Sequence, residues 1–360
     1  MSRSVLVVGT GLIGTSIGLA LQGERRVLLC DADVACLQVA VDRRAGEPWD
    51  GGPVDLAIVA VPPAQTAEVL ADLLRRSVAG AYTHVASCQS RVQAELAALG
   101  IDVTSVCGGH PLAGREITGP AAATADLFAG RPWVVCPEPT TAGDARAAVL
   151  ELATACGASP MTMTAAEHDR AVALSSHLPQ VAASALAGRL LDGDPAAPTV
   201  SGPGLHDSTR IAASNPDLWV DILAANAAQV APLAAALADD LHAAADALTR
   251  LGHDPSDPEA TAAVRQLLVR GNEGRARVPV KRDVVDSDVA VVAVRIPDRA
   301  GALAELLRCA ADAGVNVEDV RVDHLPGRPS GVVELLVRAA AREVVVRALA
   351  AADLEVLGRG

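Results

Sequence analysis

The 360-residue sequence predicts three consecutive architectures: an α/β domain built on a parallel sheet, an all-helical domain, and a small βαββαβ domain. Three observations carry this reading. Short β-branched runs alternate with helical stretches up to about residue 155; from Cys156 the apolar period becomes helical and stays so; from Val289 strands return around two short helices. The boundaries read as 1–155, 156–271, a linker at 272–288, and 289–360. A chain of this length exceeds a usual single domain, so two or three are expected.

The first strand is "VLVV" (Val5 to Val8), followed by the turn "GTGLIG", the helical stretch "TSIGLALQG" and a second strand "VLLCD". Gly9, Gly11 and Gly14 form G-x-G-x-x-G, with Leu12 and Ile13 between the second and third glycines. In strand-turn-helix context these glycines permit the tight turn, the close approach of a pyrophosphate and close helix packing, while the helix N-terminus offers unpaired N–H groups. Asp31 ends the second strand about 20 residues on, where a carboxylate accepts both ribose hydroxyls and repels a 2′-phosphate. The domain therefore reads as Rossmann-type, with NAD as the expected cofactor. A phosphate-free glycine turn with a solvated Asp31 is the alternative.

The alternation continues. Val54 to Pro63 is a buried strand stopped by two prolines, which continue neither a ladder nor a helix interior. A helix is expected over 65–76, a strand near Thr83 to Ser87, a helix to about Leu99, and a strand "DVTSVC" that delivers "CGGHPLAGRE" (107–116). His110 thus falls at a strand end, where ligands bind in the crevice outside a parallel sheet. Imidazole is the usual general base near neutrality. Capping a turn is the commoner fate of a lone histidine, and position alone does not decide between the two.

The helical part is Ala- and Leu-rich with few charges, so its apolar faces need a partner, and a dimer interface is the economical expectation. Within it "SSHLPQ" carries His177, and "GLHDSTRIAASNPDLW" carries Arg210. An arginine there holds a carboxylate by two parallel hydrogen bonds or serves a structural salt bridge. After the aperiodic "GNEGRARVPVKRDVVDSD" comes a strand, a "PDRAG" turn, a helix from Ala302 to Ala313, Gly314, the strand "VNVEDVRV", the loop "DHLPGRPSG", the strand "VVELLV", a helix and a last short strand. That order is ferredoxin-like. It has no evident catalytic group, and ligand sensing is the role it fits.

The formal charge of −13 and the lack of a basic cluster beyond a short linker argue against nucleic acid and anionic membrane surfaces, leaving a small molecule or a protein as partner. No apolar stretch reaches the roughly 18 residues of a membrane span, and the chain starts by entering a strand, so a cytoplasmic protein is expected. Seven cysteines without a C-x-x-C pair suit a reducing compartment and provide no metal spacing. Lys281 is the sole lysine.

"GHPLAGRE", "SSHLP" and "TRIAASNPDLW", in this order behind an N-terminal G-x-G-x-x-G, resemble the prephenate and arogenate dehydrogenases of tyrosine biosynthesis that carry a C-terminal ACT domain. The resemblance spans nearly the whole chain. It implies NAD-dependent oxidative decarboxylation of prephenate to 4-hydroxyphenylpyruvate, with His110 taking the ring-hydroxyl proton and Ser87, in "HVASCQ", binding the same region. It further implies that Arg210 binds a substrate carboxylate, that His177 lines the site, and that the protein is a homodimer. The ACT-like part would take tyrosine or phenylalanine as effector between subunits, at Asp298 and Gly301 of "DRAG" and at Gly314 and Asn316. Where the family has Asp and Lys around its serine, this chain has His84 and Gln89, a joint loss of two opposite charges that leaves neither stranded. Arogenate and an amino-ring analogue remain alternative substrates. A β-hydroxyacid dehydrogenase would require an active-site lysine, which Lys281 in the linker does not supply. A catalytically inactive sensor of NAD and an amino acid is the rival from another class, and binding without turnover would reveal it.

Overall fold

The computed structural model describes residues 4–114, 117–278, 289–324 and 330–357. Arg115, Glu116, Lys281 and most of the "DHLPGRPSG" loop lie outside these residues. The chain forms two compact units, residues 1–242 and 243–360.

In the first unit, β1 (Ser4–Val8), β2 (Arg26–Cys30), β3 (Glu47–Pro48), β4 (Val54–Val59) and β5 (Ala79–His84) form a parallel sheet in the order β3-β2-β1-β4-β5. Parallel strands are buried on both faces, hence the unbroken apolar runs. Val5 and Val7 join one core with Phe128, Trp133 and Leu152, while Leu6 and Val8 join another with Tyr82, Val92 and Leu96. Each such side chain, fully buried, contributes roughly 1.5–3 kcal/mol. The crossovers are α1 (Leu12–Ala20), α2 (Val34–Asp42) and α3 (Thr66–Arg75), with α4 (Gln89–Ala98) following β5.

Two expectations need correction at the sheet edge. β5 ends at His84, not Ser87, because its last partner, Val59 of β4, is followed by the Pro62–Pro63 turn. The "DVTSVC" segment is not a strand: Thr104 N–H bonds the Asp102 carboxylate and Val106 N–H bonds the Val103 carbonyl, both local turns, and a single bridge joins it to β5, the Ser105 carbonyl accepting from Tyr82 N–H and Cys107 N–H donating to the Tyr82 carbonyl. The strand forms one step later as β6 (Gly108–Pro111), antiparallel to β7 (Pro132–Cys136), which is parallel to β8 (Ser159–Thr162). His110 therefore sits inside a strand of a second, three-stranded sheet. α5 (Gly143–Ala155) connects β7 to β8, so the helical part expected from Cys156 begins only at Ala165, because residues 159–162 pair with β7 as a strand.

Helices follow: α6 (Ala165–Val172), a wide π-type turn at Ala173–His177, α7 (Leu178–Asp192), α8 (Pro203–Thr209), α9 (Pro216–Ala225) and α10 (Ala227–His253). Thr164 and Glu167 close a reciprocal capping box at the start of α6. Pro179 lacks the N–H that would continue the ladder from α6, and the wide turn accommodates that missing bond just before it.

In the second unit α11 (Pro258–Ala276) runs through Gly271 and Gly274, where a glycine-rich linker was expected. Asp257 caps it through two backbone N–H groups and is clamped by Arg250, which anchors the start of a helix that two interior glycines weaken. Beyond it, β9 (Val289–Pro297), α12 (Ala302–Asp312), β10 (Val317–His324), β11 (Ser330–Arg338), α13 (Arg342–Ala351) and β12 (Glu355–Leu357) make an antiparallel sheet in the order β10-β11-β9-β12. Val292, Val294, Val333 and Leu335 face Leu306, Val345 and Leu349 in its core. β10 and β11 extend further than expected and shorten the loop between them.

Candidate active site

The glycine turn is shaped as its spacing demands. Gly9 adopts φ +98°, and a Cβ there would lie 2.5 Å from the Ala60 carbonyl oxygen at the end of β4. A Cβ on Gly14 would collide with the Gly9 carbonyl, so α1 packs against the turn only because residue 14 has no side chain. Gly11, which caps α1, has open space where its Cβ would be. Leu12 and Ile13 open the helix and lean on the core. One oxygen of Asp31 accepts from the Thr10 N–H at 2.5 Å and hydroxyl at 2.8 Å, and the other accepts from the Asp33 N–H at 2.8 Å. A cradle with free space at the helix N-terminus and a carboxylate anchored at the end of β2 fits the pyrophosphate and adenosine ribose of NAD.

His110 lies at the same edge of the main sheet. A Cβ on its neighbour Gly109 would stand 3.4 Å from the His84 carbonyl oxygen and 3.0 Å from Trp133 Nε1, so the paired glycines let β6 press against the carboxyl end of β5. The ring of His110 enters a buried polar chain. Its Nδ1 is 2.8 Å from His168 Nε2, and His168 Nδ1 is 2.8 Å from Asp169 Oδ1. The Asp169 carboxylate also accepts the backbone N–H groups of Gln89 and Ser90, both at 2.8 Å, at the N-terminus of α4. The Asp169 backbone carbonyl accepts from Asn226 Nδ2 at 2.8 Å, and that same nitrogen lies 3.1 Å from His177 Nδ1. Trp219 of α9 stands edge-on to the His177 ring at 6.1 Å.

Burial dominates the electrostatics. It pushes His110 down to about 3 and His84 to about 4, with neighbouring histidines adding to the effect and Asp169 opposing it. His177 is lowered for the same reason. Burial alone would raise the Asp169 carboxyl, but the bonds from His168, Gln89 and Ser90 hold it down to about 2. One ionised carboxylate thus sits among imidazoles, and His110 is held in the unprotonated form a base requires.

The sequence-predicted residues fall unevenly. His110, His84, Gln89 and His177 come together around Asp169. Ser87, between β5 and α4, has a buried hydroxyl oxygen without a hydrogen-bond partner among the described residues. Gln89 donates to the Ala86 carbonyl at 2.7 Å and the Gly109 carbonyl at 3.1 Å, strapping β6 beside His110 without a charge. Its Oε1 and His84 Nε2 both point at the space above Gly108, where no Cβ stands. Arg210 opens the turn after α8, exposed, on elements that pack against α7. In the second unit, Gly301 (φ +88°) starts α12 and Gly314 (φ +71°) follows its end, so Asp298 and Gly301 are separated from Gly314 and Asn316 by an 11-residue helix within one chain. Asn316 bonds Glu318 at 2.7 Å.

His168, Asp169 and Asn226 are what the sequence reading missed. A signal existed for the first two: Ala165, His168, Asp169 and Val172 occupy one buried helical stripe of α6, and two polar residues on an apolar stripe require partners. Asn226, at the break between α9 and α10, offered no such pattern.

Comparison with known proteins points to one family. Residues 22–161 match the family described as prephenate dehydrogenase, nucleotide-binding domain, and residues 164–255 match prephenate dehydrogenase, dimerization domain. The chain is 38% identical over 343 residues to the Streptomyces niveus protein named "Probable prephenate dehydrogenase NovF", covering 93% of this chain and 94% of the relative. Among solved structures, prephenate dehydrogenase from A. aeolicus, in complex with hydroxyphenyl propionate and NAD+, aligns with a TM-score of 0.65 at 22% identity over 78% of this chain and 99% of that one. Synechocystis arogenate dehydrogenase aligns with a TM-score of 0.61 at 24% identity over 77% and 100%. Those two likenesses establish shared fold only. The two family matches and the near-full-length relative go further, and the chain is a member of the prephenate dehydrogenase family, a dehydrogenase with a nucleotide-binding and a dimerization domain.

Proposed function

We propose that this protein oxidises and decarboxylates prephenate to 4-hydroxyphenylpyruvate and CO2 with NAD, as a cytoplasmic homodimer. The observation that carries the reading is His110, held unprotonated by burial at the carboxyl edge of the nucleotide-binding sheet. NAD⁺ in the Gly9–Gly14 cradle, with Asp31 on its ribose, supplies the hydride acceptor. His110 takes the ring-hydroxyl proton, and departure of the ring carboxylate as CO2 aromatises the ring and makes the step irreversible. Ser87, whose buried hydroxyl lacks a partner among the described residues, bonds the same ring oxygen. Arg210 holds a substrate carboxylate, and His177 lines the site. Exposed apolar residues Val220 and Leu241 support a dimer face in the helical part, and seven free cysteines support a reducing compartment.

The test is the initial rate of NADH formation with prephenate and arogenate in parallel, expected to be substantial with prephenate. Turnover of arogenate alone replaces the substrate; NAD binding without turnover of either, or of an amino-ring analogue, replaces the enzyme by a sensor. The βαββαβ part, residues 289–360, serves as an ACT-like regulatory domain that binds tyrosine or phenylalanine between subunits. What supports this is its strand order and the two left-handed glycines flanking α12. Either amino acid then shifts activity by a coupling of about 1–3 kcal/mol, and deletion of 289–360 removes the shift.

A further inference from the structure

Two atoms in the buried chain around Asp169 have only one possible hydrogen-bonding role. The Asp169 carboxylate is ionised and the Asp169 backbone carbonyl has no hydrogen, so both only accept. From the first anchor, His168 must carry its hydrogen on Nδ1 to meet Asp169 Oδ1 at 2.8 Å. A neutral His168 is then bare at Nε2 and accepts from His110 Nδ1 at 2.8 Å. That leaves the His110 lone pair on Nε2. From the second anchor, the Asn226 atom 2.8 Å from the Asp169 carbonyl must be its nitrogen, which fixes the amide orientation. Its second hydrogen meets His177 Nδ1 at 3.1 Å, so that atom is the acceptor and the His177 hydrogen sits on Nε2.

We propose that His168, Asp169 and Asn226 are positioning residues that hold the two site histidines in opposite tautomers, His110 accepting at Nε2 and His177 donating at Nε2 to an oxo or carboxylate oxygen of the substrate. The substrate half of this statement rests on the reading above; the tautomers do not. The asymmetry discriminates chemically. An imidazole N–H meets the oxo oxygen that a 2-oxo acid side chain has and an amino acid side chain lacks, and it has no lone pair for an ammonium group in the same place; a contact to the carboxylate, which both share, does not discriminate. Gln180, three residues beyond His177 and buried, does not weaken this: among the described residues its amide nitrogen meets the Ser184 hydroxyl at 3.4 Å and its oxygen meets no donor, and a hydroxyl both donates and accepts, so neither amide orientation is fixed.

The test is long-range ¹H–¹⁵N correlation spectroscopy on the full-length, ¹⁵N-histidine-labelled protein at pH 8, above the ordinary histidine range. Signals are assigned by loss in His110→Asn and His177→Gln. The expected result is a protonated Nδ1 and bare Nε2 on His110, with the reverse on His177. His110 protonated at Nε2, as a doubly protonated His168 would force, or His177 protonated at Nδ1, overturns the tautomers even in a protein that turns prephenate over. Asn226→Asp replaces the donor at His177 Nδ1 by an acceptor. It is expected to reverse or protonate His177 in the spectrum and to raise KM for prephenate tenfold or more, about one hydrogen bond's worth, while kcat changes by a smaller factor. An unchanged KM alongside a reversed His177 removes the substrate contact from the proposal. If prephenate is not a substrate at all, the function reading fails while the spectrum still decides the tautomers.

Discussion

The glycine cradle and the histidine cluster are both polar sites at one edge of the same sheet, but they are built in opposite ways. The cradle uses residues 9–14 and Asp31, all within one strand-turn-helix-strand unit, and it is made mostly of backbone. The cluster gathers His84, Gln89, His110, His168, Asp169, His177 and Asn226 from separate elements, and it is made of buried side chains that must satisfy one another. A local site tolerates change in proportion to the space around each residue. A nonlocal buried network couples chemistry, stability and pH in the same atoms.

The largest expected effect separates the two sites. His110→Asn keeps NAD binding, measured by fluorescence titration, but lowers kcat by about 10²- to 10⁴-fold, the usual worth of a positioned base. A variant with near-normal kcat would falsify the assignment. Next, the cradle should divide against itself. Gly14→Ala forces a Cβ into the Gly9 carbonyl and should cost about 1–3 kcal/mol of unfolding free energy in urea, the usual cost of an overpacked core. Gly11→Ala meets nothing within 4 Å and should leave the urea midpoint unchanged while weakening NAD binding, because its methyl group occupies ligand space. Equal loss of stability in both would mean that the turn is structural only.

The pH response should belong to the cluster. His110 and His84 are depressed to about 3 and 4 from an unfolded value of about 6.5, so on acidification the unfolded chain binds protons first. Their contribution is fully present above pH 6.5 and is lost as pH falls towards 4, on the order of 3 kcal/mol for His84 alone. Asp169, lowered to about 2, adds its loss only as pH falls through 3.8. Urea midpoints should therefore drop between pH 7 and 5, and His84→Gln should flatten that slope; an unaltered slope would place the acid sensitivity elsewhere. The smallest effect is again local. Asp33 caps α2 through the Ala35 and Cys36 N–H groups, and Asp33→Ala should lower the urea midpoint slightly without touching kcat.

The same contrast explains what was legible. Strands β1, β2 and β4, the glycine turn, Asp31 and the helical character from Ala165, though not strand β8 just after Cys156, follow from short-range pattern, because β-branched runs, glycine spacing and helical period are properties of neighbouring residues. His110 and His177 were found through motifs. The strand that carries His110 was misplaced because local turns at Asp102 and Val103 use up the backbone of "DVTSVC", and because Gly108 and Gly109, poor strand formers, pair once they fit against His84 and Trp133.

The sequence by itself determined the order of architectures, the nucleotide cradle and the histidine at its edge, since each depends on residues within about one supersecondary unit of each other. Only the tertiary structure decided that Asp169 is the hub, that Gln89 straps β6 without a charge, and that Asn226 faces His177. Those roles exist only once β5, β6, α4, α6 and the α9–α10 break are packed together, because a buried donor or acceptor is defined by the partner that burial forces upon it.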